Sequence, residues 1–110
     1  MDAMSAIPTT SVTELPDDAV IVDVREPDEW AAGHAPNAIH IPLGGLPSRI
    51  DELPESDATV GVVCRMGGRS ARAVQWLVQQ GYDVANVEGG MVAWERAGKA
   101  LTADGNPSII

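Results

Sequence analysis

The chain has 110 residues and a formal net charge of −9, with an isoelectric point near 4.3, the size of one domain with a real core. The acidic balance argues against nucleic acid and anionic membrane surfaces as partners, since both need basic patches. A single cysteine permits no intramolecular disulfide, and no stretch reaches the apolar length of a membrane span.

Met1-Asp2-Ala3-Met4-Ser5 carries no basic residue and no apolar run follows it, so the start does not read as a signal peptide. Residues 1–10 are small and polar, with Pro8, and are expected as a flexible N-terminal arm. Residues 11–101 then form the domain, and 102–110 a C-terminal tail. Ser11 to Leu15 is expected as a short edge strand running into a turn of helix, broken by Pro16-Asp17-Asp18. Residues 19–24 are apolar apart from Asp23, the pattern of a central parallel strand covered on both faces.

Pro27 starts a short helix, where its missing N–H is harmless. Asp28 and Glu29 suit the first turn, Trp30 and Ala31 are expected to face the core, and Gly33 ends the helix. Residues 38–41 read as a short strand closed by Pro42, and Gly44-Gly45 as a turn. Leu46, Ile50 and Leu53 have the spacing of a helical face, which Pro54 stops. Asp51, Glu52, Glu55 and Asp57 read as a solvated face. Residues 59–63 are a short buried strand. A helix from Ser70 is expected to bury Val74, Leu77 and Val78 and to stop at Gly81. Residues 82–87 form the last strand, Glu88-Gly89-Gly90 a tight turn, and residues 91–97 a helix with Trp94 inward. Lys99 to Ile110 reads as irregular. Strands alternating with helices imply a parallel sheet wrapped by helices.

The chemistry concentrates in Cys64-Arg65-Met66-Gly67-Gly68-Arg69-Ser70. This loop joins a strand to a helix at the carboxyl edge of the sheet, where ligands bind in open α/β folds. Gly67 and Gly68 lack Cβ atoms, so backbone N–H groups can converge there ahead of a helix N-terminus and attract an anion. The same field favours a thiolate, and Arg65 and Arg69 add two positive charges. A cysteine after an apolar strand is often only a small buried hydrophobe. The paired glycines and flanking arginines favour a reactive thiol instead. His34, His40 and Cys64 match no zinc-ligand spacing, and no metal or cofactor is expected.

The loop resembles the active-site loop of rhodanese domains, the thiosulfate sulfurtransferases. Three further stretches match that family in order: Asp23-Val24-Arg25-Glu26-Pro27-Asp28-Glu29-Trp30, Gly33-His34-Ala35-Pro36-Asn37-Ala38-Ile39-His40-Ile41-Pro42, and Glu88-Gly89-Gly90-Met91-Val92-Ala93-Trp94. The resemblance runs from about Thr13 to about Leu101. It implies a three-layer α/β/α sandwich around a small, mostly parallel five-stranded sheet. It also implies that Asp23 and Arg25 hold loops at a strand end, and that His34 hydrogen-bonds backbone in a tight loop.

The resemblance implies sulfur transfer through a persulfide on Cys64, from thiosulfate or a related anionic donor to cyanide or a thiol. A sulfur-accepting protein is a further candidate partner. Arg65, Met66, Gly67, Gly68, Arg69 and Ser70 are then the substrate-binding residues. Arginine directly after the cysteine resembles the thiosulfate-using subgroup rather than the mercaptopyruvate-using one. A free activated thiol fits a reducing cytoplasm. Two alternatives stand beside this reading. One is a phosphatase or arsenate reductase of related fold, whose loops place arginine six residues after the cysteine, where this chain has Ser70. The other is a non-catalytic binding module or sulfur carrier.

Overall fold

A computed structural model describes residues 7–110. Five strands form one sheet: β1 (Thr9–Thr10), β2 (Ile21–Asp23), β3 (Ile39–His40), β4 (Val60–Val63) and β5 (Val84–Val87). Their order is β1-β5-β4-β2-β3, and every pairing is parallel. The helices are α1 (Pro27–Ala32), α2 (Gly68–Gln79) and α3 (Gly90–Arg96), with 3-10 turns at Leu43–Gly45 and Pro47–Glu52.

The central strands β2 and β4 are buried at every position, so their apolar runs serve two faces. Successive side chains alternate between two cores. Val22, Val24, Val60, Val62, Cys64 and Val84 pack with Ala73, Val74 and Leu77 of α2 and with Leu46. Ile21, Val63 and Val87 pack on the other face with Met91 and Trp94 of α3. This is the α/β/α sandwich, with a wholly parallel sheet. Cys64 and α2 share one face, which places the thiol under the N-terminus of α2.

Several local expectations change. Composition places Thr9–Thr10 in the arm, yet they form the edge strand, with the amides of Asn86 and Glu88 donating to the carbonyls of Pro8 and Thr10. Two ladder bonds outweigh a weak strand signal; the rest of the expected arm, residues 1–6, lies outside the described residues. Residues 11–15 form a turn instead of an edge strand, closed by the Glu14 and Leu15 amides on the Ser11 carbonyl. The helical face at Leu46, Ile50 and Leu53 sits on a 3-10 turn, kinked at Arg49. Helix α2 begins at Gly68, two residues before Ser70.

Ala31 and Val78 are exposed, because short amphipathic helices bury only the positions at the centre of the contacting stripe. Residues 99–110 lack regular structure but pack on the body. Thr102 and His34 exchange backbone hydrogen bonds, and the Ser108 amide donates to the Ala32 carbonyl at 2.9 Å. Among the described residues, no helix is long and apolar enough to cross a membrane.

Candidate active site

Cys64 follows the last residue of β4, and its side chain lies almost wholly beneath the loop, 2% exposed. Gly67 makes the return possible: it takes φ +115° as the N-cap of α2, a conformation open to glycine. Its amide then points back and donates to the Cys64 Sγ at 3.0 Å. The Ser70 hydroxyl, fully buried in the first turn of α2, lies 3.3 Å from the same sulfur. Burial pushes the Cys64 thiol up, but the Ser70 hydroxyl and the amides of Ser70, Gly67 and Met66 outweigh it and hold the thiol below its ordinary value.

The sequence credited that depression in part to Arg65 and Arg69. The hydrogen bonds lead instead, and both guanidiniums are engaged elsewhere. Arg69 forms a two-pronged pair with Glu29 of α1, at 2.6 and 2.8 Å. That pair brings Glu29 down to about 2 and raises Arg69, which also feels the Cys64 sulfur. Arg65 donates its Nε to the Ile110 carbonyl at 3.0 Å. Met66 stands at the rim, 64% exposed, and Gly68 opens α2. The structure thus gathers Cys64, Gly67 and Ser70 around the sulfur and leaves Arg65, Met66 and Arg69 at its margin.

Four residues missed by the sequence reading complete the site. Asn86 of β5 accepts from the Ser70 hydroxyl at 2.6 Å and donates its Nδ2 to the Gly67 carbonyl at 3.2 Å. A polar side chain inside an otherwise apolar strand was its signal, because buried polar groups require partners. Gly90 lets α3 abut the loop: the amides of Met91 and Val92 donate to the carbonyls of Cys64 and Arg65 at 2.9 and 3.0 Å. Glu29 read only as a first-turn acid, and nothing local links it to Arg69, forty positions away. Ile110 lay in the stretch read as an irregular tail, with nothing local to link it to Arg65.

The supporting shell is held by buried polar contacts. Asp23 and Arg25, both fully buried, pair at 2.7 Å. Arg25 also donates to the Gly33 carbonyl at 2.8 Å, so the pair ties the end of β2 to the loop after α1. The His34 Nδ1 lies 2.7 Å from the Trp30 carbonyl, and the His40 Nε2 lies 2.8 Å from the Arg25 carbonyl. Trp30 stacks on both imidazoles. A cavity of about 640 Å³, lined by Leu15, Ile21, Trp94 and Lys99 among others, includes no residue of the 64–70 loop.

The Rhodanese-like domain family matches residues 9–97. A sulfurtransferase of Allochromatium vinosum is 42% identical over 88 residues, 79% of this chain and 81% of that protein. The crystal structure of a rhodanese-related protein from Thermoplasma volcanium superposes with a TM-score of 0.80 at 34% identity, covering 88% of this chain and 99% of the other. The thiosulfate sulfurtransferase of Pseudomonas aeruginosa gives a TM-score of 0.77 at 30% identity, over 96% of this chain and 22% of that one. A parallel five-stranded sheet, a hydrogen-bonded cysteine at its carboxyl edge and relatives that are sulfurtransferases converge: this chain belongs to the rhodanese-like domain family.

Proposed function

We propose that the protein moves a sulfane sulfur from thiosulfate or a related anionic donor to an external acceptor, through a persulfide on Cys64. The observation that carries this reading is the Cys64 sulfur itself, which accepts from the Gly67 amide at 3.0 Å and lies 3.3 Å from the Ser70 hydroxyl. Donors aimed at one sulfur favour its thiolate, the nucleophilic form. The thiolate attacks the outer sulfur of thiosulfate. A Cys64 S–S bond forms, the donor S–S bond breaks, and sulfite leaves with the electron pair. Cyanide or a thiol then attacks the outer sulfur of the persulfide, takes it, and returns Cys64 to the thiolate. No second cysteine exists in the chain, so the acceptor is external.

Arg65 is the better placed anion binder. The Ile110 carbonyl takes only its Nε, which leaves the terminal N–H groups for sulfonate oxygens and for the charge on departing sulfite. Arg69 spends both terminal nitrogens on Glu29 and contributes a partly offset positive field. The phosphatase alternative needs an arginine where Ser70 stands. That position carries a buried hydroxyl, which offers no charge to a phosphoryl group.

The test is intact mass after treatment with thiosulfate, followed by cyanide. The protein gains one sulfur atom, then loses it as thiocyanate, and Cys64→Ser does neither. An unchanged mass under thiosulfate together with efficient hydrolysis of an aryl phosphate would replace this function with the phosphatase one. A persulfide that forms but passes to no small acceptor would assign a carrier role.

A further inference from the structure

The Ser70 hydroxyl has two claimants. Its oxygen lies 2.6 Å from the Asn86 Oδ1 and 3.3 Å from the Cys64 Sγ. A hydroxyl carries one proton and two lone pairs, so it donates to one of these at a time. The Asn86 amide cannot turn to relieve the conflict. Its Nδ2 donates to the Gly67 carbonyl, and this holds the Oδ1 toward Ser70. The triad is closed off from water, with Ser70 at 0%, Cys64 at 2% and Asn86 at 8% exposure. Water is therefore a poor substitute for either partner.

We propose that Asn86 is a positioning residue that competes with the Cys64 sulfur for the single Ser70 proton, so that the hydroxyl donates to Asn86 over a thiol and to Cys64 over a thiolate. In the thiol state, the Cys64 S–H points to a Ser70 lone pair and the Ser70 proton sits on the Asn86 Oδ1. Loss of the thiol proton removes that donor and creates a stronger acceptor, since charge-assisted hydrogen bonds are about twice as strong as neutral ones. The hydroxyl then turns to the sulfur and leaves the Asn86 Oδ1 without a partner. Each thiolate is formed against that loss, so Asn86 moderates the acidity that the loop confers.

Other charges reach the sulfur from neighbouring elements. Arg69 of α2 acts on it directly, offset by Glu29 of α1 and also influenced by Glu26. Arg65 follows in the chain and is tied to Ile110. Asp23 and Arg25 at the end of β2 neutralise one another, and Glu88 beyond β5 is exposed. None of these contacts the Ser70 hydroxyl, so substitution at Asn86 leaves them in place.

The experiment is the rate of iodoacetamide alkylation against pH for the wild type, Asn86→Leu, Ser70→Ala and the double variant. No sulfur donor is present, so a failure here is separate from a failure of sulfur transfer, which concerns the same thiol. Asn86→Leu removes the competing acceptor and lowers the inflection by about one pH unit, tenfold in thiolate fraction at a pH below both inflections. Ser70→Ala removes the donor and raises it. In the double variant the Asn86 effect vanishes, because it acts only through Ser70. Asn86→Asp loses the same bond to Gly67 but keeps the acceptor, and raises the inflection. Should the leucine variant not fold, Asn86→Ala takes its place. An unmoved inflection in Asn86→Leu, a downward shift that persists in the Ser70→Ala background, or a downward shift in both the aspartate and leucine variants would overturn the proposal.

Discussion

Arg25 is the largest fully buried side chain in the described chain, and it is charged. It survives there because all three guanidinium nitrogens donate, to both Asp23 oxygens and to the carbonyls of Glu29 and Gly33. Removing one member of a buried pair strands the other, at a cost of about 3–5 kcal/mol. Arg25→Ala is therefore expected to lower stability by that amount in urea unfolding, a large share of the 5–15 kcal/mol typical of a domain. A loss below about 1 kcal/mol would mean that Asp23 finds another partner. Cys64 shows the opposite economy. Its neighbours favour its charged form without any adjoining unpaired cation, through a hydroxyl and backbone amides.

Two contacts between elements set the geometry of the loop. Glu29 joins α1 to α2 through Arg69 while its Oε1 also accepts from the Glu26 amide. Glu29→Gln keeps the shape and removes the charge that offsets Arg69. With an anionic donor such as thiosulfate, KM is expected to fall several-fold with kcat little changed, the signature of altered uniform binding. An unchanged KM would place Arg69 outside the donor's reach.

The same pair carries a pH dependence. Glu29 lies at about 2 in the folded protein against an ordinary 4.5. A depressed carboxyl stabilises the fold above its unfolded value, and that contribution fades as pH falls through the folded one. The stability gap between the wild type and Glu29→Gln should be widest above pH 4.5 and close toward pH 2.

Gly90 is the second contact. It has φ +53°, and an added Cβ would collide with the carbonyls of Cys64 and Arg65. Gly90→Ala strains the backbone by about 1–3 kcal/mol and pushes the loop from its place. Small displacements at a reacting centre cost up to about 100-fold in rate, so kcat should fall more than stability does. A variant destabilised but fully active would free the loop from α3.

The whole molecule carries a charge of −9, and its substrate in the proposed function is an anion. Arg69 is offset by Glu29 and Arg65 is partly engaged, so the global field is poorly countered at the site. Salt shortens the reach of that field from about 30 Å at 0.01 M to about 8 Å at 0.15 M. The kcat/KM for thiosulfate is thus expected to rise over that range, read by a thiocyanate assay at constant pH. A fall would show that local cations dominate the approach.

Cys64, the left-handed Gly67 and the alternation of apolar runs with helical segments were legible in the chain because their causes are local. A strand buried on both faces must be apolar throughout, a left-handed turn favours glycine, and a reactive thiol needs converging amides close by in sequence. The parallel sheet and the place of Cys64 at its carboxyl edge follow from that pattern. What the tertiary structure alone decided was where the charged and polar groups spend their hydrogen bonds. Arg69 looked free until α1 brought Glu29 across forty positions of chain. Asn86 looked like a strand residue until the pairing of β4 with β5 set it opposite Val62, within reach of Ser70. Thr9–Thr10 looked like an arm until the Asn86 and Glu88 amides at the edge of β5 donated to the Pro8 and Thr10 carbonyls. Such partnerships depend on distances that close only on folding, and a side chain's neighbours in space are not written in its neighbours along the chain.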